Sequence, residues 1–344
     1  MRMRYSLFLL CLFLPLLAQA QDKTLEEQVP RELKHSRYPN FITAVYENDM
    51  IGGGTDAHYT SGVRLTYFDL GAKFPQICHN IAELVPTFDI NETSSAYYSL
   101  GQNLYTPDDI QSAVPDPKDR PWAAFLYGSI GMASLNHNYI DELEATIGVV
   151  GPAALGEQTQ RSVHKYITGS PLPQGWDNQL KNEPGLILSW QRRWPEKWQT
   201  DIAGLTLKAA PYLGASVGNV YTYANTGISV RLGDGRNRWS DTPLRVRPAM
   251  PGTGFFESAE NGWDWSVFAG VEGRAVARNI FLDGNTFRDS PSVNKFPLVG
   301  DVNAGFALTF GRAQMSYTMV YRSKEFVDQN KGDLFGAVSL GYRF

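Results

Sequence analysis

Gln160 and His164 stand four residues apart within residues 151–183, in a run from Ala153 to Ile167 that is compatible with a helix. That spacing puts both side chains on one helix face. Histidine takes up a proton near neutral pH without extreme tuning, so such a face can present a general base. A second cluster is Glu47-Asn48-Asp49, followed by Gly52-Gly53-Gly54 and then Thr55-Asp56-Ala57-His58-Tyr59-Thr60-Ser61-Gly62. Carboxylate, amide and hydroxyl oxygens close together suit a hard cation such as Ca²⁺. They also suit hydrogen bonding to an oxyanion, and Asn, Asp, Gly and Thr are ordinary turn residues. Composition alone leaves all three readings open.

Several other chemistries are excluded. There is no HExxH and no clustered His/Cys spacing for zinc, no D-x-[DN]-x-[DN]-G calcium loop and no GxSxG elbow. Gly52-Gly53-Gly54 is followed by neither a helix nor a lysine, so it is not a phosphate loop. A lone Cys78 after the first twenty residues cannot form an internal disulfide.

The elements around these clusters read as strands. In Phe335–Phe344, Val338, Leu340, Tyr342 and Phe344 alternate with Ala337, Ser339, Gly341 and Arg343. In 140–150, Leu143, Ala145, Ile147 and Val149 alternate with Glu142, Glu144, Thr146 and Gly148. In 59–69, Tyr59, Ser61, Val63, Leu65 and Tyr67 alternate with Thr60, Gly62, Arg64, Thr66 and Phe68. An apolar face with aromatic ends, opposite a small or polar face, is the pattern of a transmembrane β-strand. Strands are expected near 41–50, 59–69, 97–106, 122–135, 140–150, 184–194, 203–218, 222–232, 263–279, 297–310, 313–326 and 334–344. Twelve is the even number that a closed bacterial barrel needs. Glu144, Arg231, Glu272 and Arg274 fall on the polar phase and should face the lumen. A soluble β-sandwich would alternate in the same way, with the polar face wet.

The N-terminus favours the membrane reading. Arg2 and Arg4 precede an apolar run from Tyr5 to Leu17, and Ala18-Gln19-Ala20 is a cleavage site, so residues 1–20 read as a secretory signal peptide. Residues 21–38 form a polar leader, and 39–344 is one barrel domain carrying 151–183 as its catalytic loop. Loss of Arg2 and Arg4 takes the formal charge from −4 to −6. With no basic cluster, this argues against a nucleic-acid partner. Aromatic residues make up 12% of the chain and there are 32 glycines, yet mean hydropathy is negative and no later segment is apolar enough for a membrane helix.

In combination, these motifs resemble the outer-membrane lipid A 3′-O-deacylases. The resemblance is carried by Glu47-Asn48-Asp49, Tyr59-Thr60-Ser61-Gly62, Gly101-Gln102 with Tyr105-Thr106-Pro107, and Asp119-Arg120-Pro121. It continues in Gly148-Val149-Val150-Gly151-Pro152, Gln160, His164 and Gly175-Trp176-Asp177-Asn178-Gln179. It runs from about residue 40 to Phe344 and implies a twelve-stranded barrel acting as a calcium-dependent esterase on the 3′-acyloxyacyl group of lipid A. Carried over by motif, the implied site residues are Asn48, Asp49, Thr60, Gln160 and His164, with Asp49 at the calcium. His164 would activate a water, Gln160 would orient the substrate or the helix, and Thr60 is an alternative nucleophile. The family also uses a lysine shortly after the Tyr-Ser/Thr-Pro segment. This chain has Asp108-Asp109-Ile110-Gln111-Ser112 there, and Lys118 is the nearest lysine. Arg161, Lys165 and Lys181 are the remaining candidates for lipid phosphates. The implied partners are lipid A or lipopolysaccharide and the outer membrane, with a monomer as the expected state. A passive porin and a structural or partner-binding barrel are the competing functions.

Overall fold

The computed structural model describes residues 38–52, 58–83, 88, 90–91, 93–136, 138–195, 197–234, 245–246 and 254–344. The expected signal peptide, the leader up to Arg37, Gly53–Ala57 and His137 lie outside the described residues.

Thirteen strand segments form one antiparallel sheet: β1 (Asn40–Asn48), β2 (His58–Asp69), β3 (Ser95–Thr106), β4 (Ala123–Leu135), β5 (Ile140–Val150), β6 (Glu183–Arg193), β7 (Trp198–Ile202), β8 (Leu205–Gly218), β9 (Tyr221–Gly233), β10 (Ala259–Asn279), β11 (Leu298–Gly311), β12 (Ala313–Arg322) and β13 (Asp333–Arg343). Consecutive strands pair except β6 with β7, β1 also pairs with β13, and β6 pairs with β8 to close the barrel. The count of thirteen hides twelve staves. β6 pairs with β8 from Ile187↔Gly218 to Arg193↔Tyr212, and β7 continues along β8 from Trp198↔Ala209 to Ile202↔Leu205. Pro195, which has no N–H to give a ladder, falls in the break between them. The sequence reading missed β7 and began the next strand at 203. Ala203 and Gly204 both have positive φ (53° and 82°) and form the two-residue turn of the β7–β8 hairpin.

The alternation expected from sequence is realised as lipid face against lumen face. On the final strand Leu340, Tyr342 and Phe344 are 56%, 43% and 47% exposed, while Ala337 and Arg343 are almost fully buried. Among the described residues no helix is long and apolar enough to cross a membrane. The strands do so, each hydrogen-bonded to neighbouring strands around the closed wall.

The lumen is filled. At the external end a short helix, α4 (Ile280–Asp283), packs Phe281 against Tyr105 at a 4.1 Å ring-centroid separation, in a cluster with Phe125, Tyr221 and Phe335. Near the other end Phe41, Phe68, Tyr97, Phe255 and Phe256 pack together. Ion pairs cross the space between: Arg64–Glu144 at 2.8 Å, Arg193–Glu142 at 2.9 Å, and Asp301 with Arg274 at 2.8 Å and Arg322 at 3.0 Å. Glu144, Glu272 and Arg274 are buried on the lumen side as expected, and Arg231 is half-buried.

Three further helices lie against the wall from outside. α1 (Asp49–Gly52) follows β1, and Ile51 packs on outward-facing Gly336 of β13. α2 (Gln76–Glu83) belongs to the connection between β2 and β3, whose Phe74, Cys78, Ala82 and Phe88 cover Met132 and Leu143. α3 (Gly156–Val163) lies in the loop between β5 and β6.

Candidate functional site on the outer face of the wall

The site begins where β1 ends. Ile42, Ala44 and Tyr46 set the outward phase of β1, and Asn48 continues it. Asn48 Nδ2 donates to the Thr60 carbonyl at 3.0 Å, and its Oδ1 accepts from Met50 N at 2.8 Å. Asn48 thereby ties β1 to β2 and starts the turn into α1. Asp49, the first residue of α1, is buried.

β2 carries a bulge at this level. Tyr59 pairs with Tyr105 and Ser61 with Leu104, so Thr60 is the extra residue. A bulge re-aims the side chains beside it. Strict alternation in the sequence places Tyr59 outward; instead its ring packs inside against Phe335, and its hydroxyl donates to Glu47 at 2.9 Å. Thr60 is released to the other side, where its Oγ1 meets Thr106 Oγ1 at 2.6 Å. Thr106 lies on the outward phase of β3, in line with Leu100, Gln102 and Leu104. Glu47, grouped with Asn48 and Asp49 in the sequence reading, faces the lumen and is fully buried there, because adjacent strand residues point to opposite faces.

The loop between β5 and β6 supplies the histidine. The expected helix from Ala153 is divided: a 3₁₀ turn spans Pro152–Ala154, Leu155 takes a left-handed conformation (φ 61°), and α3 starts at Gly156. Gln160 and His164 fall on the buried side of α3 together with Gly156. A Cβ on Gly156 would lie 2.5 Å from Ala124 Cβ and 2.6 Å from the Trp176 ring, so glycine lets the helix approach the wall. Ala154 and Trp176 cover Leu104, Ala124, Leu126 and Val149, all outward residues of β3, β4 and β5. Gln102 Nε2, also outward, donates to Ala154 O at 2.6 Å. The histidine loop is therefore strapped to the outside of the barrel.

His164 opens a π-helical turn, His164–Thr168, an arrangement that occurs mostly as single turns and is frequent at functional sites. His164 Nδ1 is 2.6 Å from Pro171 O. A carbonyl only accepts, so the neutral ring carries its proton on Nδ1 and its basic lone pair on Nε2. Gln160 Oε1 accepts from Trp176 Nε1 at 2.8 Å, joining α3 to the 3₁₀ turn Trp176–Asn178 further along the loop. Pro171, Trp176 and Thr106 were not singled out as site residues from sequence. Thr106 and Trp176 lay within the quoted motifs, whereas a backbone carbonyl such as that of Pro171 leaves no side-chain signal.

Asn48, Thr60 and Thr106 thus share the outer face of β1–β3 with Gln160 and His164, which α3 holds against β3 and β4. The candidate cations stand away from the wall. Arg161 pairs with Glu157 at 2.7 Å, and Lys165 lies 4.9 Å from the centre of the Tyr166 ring. Lys181 and Lys118 are exposed. Asp108 N–H donates to Asp119 Oδ2 at 2.7 Å, closing the loop that carries Asp109, Ile110, Gln111 and Ser112.

Among the described residues no three His, Cys, Asp or Glu side chains converge as a metal site. The oxygen-bearing side chains at this end of β1 to β3 are Asp49, Asn48, Thr60 and Thr106, of which Asn48 Oδ1 accepts from Met50 N–H and the two threonine hydroxyls bond each other. Such an all-oxygen set with a single charge fits a hard cation that keeps water or ligand oxygens in the rest of its shell, and does not fit zinc.

A family model described as outer membrane protein LpxR matches residues 7–344. Among solved structures, LpxR from Salmonella typhimurium superposes with a TM-score of 0.71 at 23% identity, covering 88% of this chain and 100% of its own. The translocator domain of the autotransporter NalP from Neisseria meningitidis gives 0.35 at 12% identity, over 91% of each chain. No curated protein matches the chain. The lipid-facing wall and closed topology agree with the family match, which leaves out only the first six residues: the chain belongs to the LpxR outer membrane protein family and resides in the Gram-negative outer membrane.

Proposed function

We propose that this protein is a carboxylic ester hydrolase that removes the ester-linked 3′-acyloxyacyl chain from lipid A in the outer leaflet, with calcium as cofactor. The observation that carries this reading is the location of the histidine. His164, Gln160, Asn48, Thr60 and Thr106 lie on the lipid side of a membrane wall, at the external ends of β1 to β4. Neutral polar groups buried there meet a lipid at the boundary between head group and acyl chain, which is where lipid esters are found.

His164 Nε2 takes a proton from a water molecule, whose oxygen attacks the ester carbonyl. The C–O bond to the sugar breaks, and the proton passes from His164 to the departing alkoxide, leaving a free carboxylic acid and a sugar hydroxyl. The Nδ1–H donated to Pro171 O fixes the tautomer and the ring plane. Gln160 holds α3 through Trp176. Asn48 and Thr60 fix the shape of the wall facing the ester, and the engagement of the Thr60 hydroxyl with Thr106 favours a positioning role over a nucleophilic one. Asp49 is the residue that would hold a calcium ion, which when bound would supply Lewis acidity at the ester carbonyl. Arg161, Lys165 and Lys181 are the candidates to meet lipid phosphates in place of the family's lysine.

The test is lipid A mass spectrometry in a host with hexa-acylated lipid A, comparing wild type with His164→Ala, each shown to be folded by heat-modifiable mobility. Loss of an acyloxyacyl mass in wild type alone, abolished by chelation and restored by Ca²⁺, is expected. Unchanged lipid A from folded wild type with calcium supplied would refute the reading. Solvent ¹⁸O in the released acid, with no trapped acyl-enzyme, is expected for activated water. A porin would instead conduct ions, an outcome the aromatic filling of the lumen opposes.

A further inference from the structure

Two buried ion pairs take their cation from a connection rather than from a strand. Arg64, Arg193, Arg274 and Arg322 stand on barrel strands, whereas Arg120, paired with Glu325 at 3.2 Å, belongs to the connection between β3 and β4, and Arg245 to that between β9 and β10. Arg245 enters the lumen and reaches the external end of β1. Arg245 Nε donates to Glu47 Oε1, and Val246 N–H donates to the same oxygen at 3.2 Å. The Tyr59 hydroxyl donates to Glu47 Oε2 at 2.9 Å and accepts from Asn103 Nδ2 at 3.1 Å. Val246 O in turn accepts from the Tyr127 hydroxyl of β4 at 3.1 Å, so the entering segment is held on two sides.

This cluster lies back to back with the outer-face site. Glu47 immediately precedes Asn48, and Tyr59 immediately precedes Thr60, each pair divided between lumen and lipid side. The bulge that turns Thr60 outward requires Tyr59 to remain inside. Gly62 leaves the room for this: a Cβ there would lie 2.3 Å from the Tyr59 hydroxyl oxygen and 2.7 Å from Val246 Cγ1.

We propose that Arg245, Glu47 and Tyr59 form a lumen-side bolt that positions Asn48 and Thr60 on the outer face, so that a segment entering between β9 and β10 holds the reactive rim in register through the wall. The proposal rests on the outer-face cluster being the reactive site. The three are positioning residues. Without its guanidinium, Glu47 is a buried carboxylate with no counter-charge, left with only the Val246 N–H and the Tyr59 hydroxyl to hold it in place. Relaxation of the Asn48 turn and the Thr60 bulge then misplaces groups that must sit within an ångström of their working geometry.

The test uses the full chain in lipid nanodiscs, comparing wild type, Arg245→Met and Arg245→Lys. Hydrogen exchange of peptides covering 48–61 is measured against β8 and β9, alongside turnover on lipid A. In Arg245→Met, exchange over 48–61 is expected to rise at least tenfold with β8 and β9 unchanged. The kcat is expected to fall at least tenfold with KM within twofold, and Arg245→Lys should recover most of both. Wild-type exchange in Arg245→Met, or a rise shared equally by all strands, overturns the bolt. If wild type leaves lipid A intact, the hydrolase reading falls while the exchange comparison still decides the bolt.

Discussion

The two faces of the barrel wall handle polar groups in opposite ways. Inside, full charges are buried and matched: Arg64 with Glu144, Arg193 with Glu142, Arg274 and Arg322 with Asp301. Outside, at the external rim, the buried polar groups along β1 to β4 are mainly neutral, and they hydrogen-bond one another or backbone carbonyls: Asn48 to Thr60, Thr60 to Thr106, Trp176 to Gln160, His164 to Pro171. Matched charges in the lumen stiffen the wall and have little left to offer a reactant. Neutral donors and acceptors cost less to bury in a lipid-facing cleft and can exchange partners with a substrate. Under the proposed function, the lumen would serve as scaffold and the outer rim as the place for chemistry.

The comparison breaks most sharply at His164. His164→Ala should lower turnover by about 10²–10⁴-fold, the range for loss of a general base, with heat-modifiable mobility unchanged; comparable turnover in the variant would remove the rim's claim to chemistry. On the other face, Glu144→Gln leaves the Arg64 guanidinium buried without its counter-charge. It should cost about 3–5 kcal/mol of barrel stability, read as a lower temperature of heat modification, while the folded fraction turns over within about twofold of wild type. A large fall in turnover per folded molecule would show that the two faces are not separable.

A smaller effect is expected from Trp176→Phe, which keeps an aromatic ring and deletes the hydrogen bond to Gln160. A bond of about 0.5–1.5 kcal/mol corresponds to a two- to tenfold loss of turnover, measured as the rate of deacylated lipid A appearance. The smallest effect should come from acid acting on Glu325, in the connection 323–332 outside the strands. Burial raises its carboxyl pKa, but the guanidinium groups of Arg322, Arg120 and Arg274 outweigh that and hold it below the ordinary carboxylate value. A depressed folded-state value means that stabilisation is present above the unfolded carboxylate pKa and is lost as pH falls through the folded one. Wild type should therefore lose heat resistance below about pH 4, and Glu325→Gln should be weaker at pH 7 with a flatter acid profile. Identical profiles would mean that this charge cluster does not contribute to stability.

Much of the wall was legible because a half-lipid, half-lumen strand enforces a period of two, and a slip of one residue would turn every side chain to the wrong face. The final strand and 140–150 follow that rule from end to end. Legibility failed where an extra residue or a turn resets the phase. Thr60 bulges and sends Tyr59 inward, Ala203-Gly204 turns where a strand was expected to begin, and Leu155 interrupts the helix expected from Ala153. In the candidate site, the helical spacing of Gln160 and His164 already implied a shared face. The sides taken by Glu47 and Asn48 depend on strand phase, which a cluster of adjacent polar letters does not express. Arg245 is separated from Glu47 by 198 residues, and nothing local in the sequence joins them.

Placement of the histidine loop against the outside of the wall also decides how a reactant arrives. A molecule reaching His164 from the lipid side diffuses in two dimensions, and its effective concentration is a surface density. Mixing the substrate with inert lipid or detergent at constant bulk concentration should then slow turnover in proportion to its mole fraction in the surface, as expected for interfacial kinetics. The neighbours of the protein in the leaflet, more than the volume of the surrounding medium, would set how fast it works.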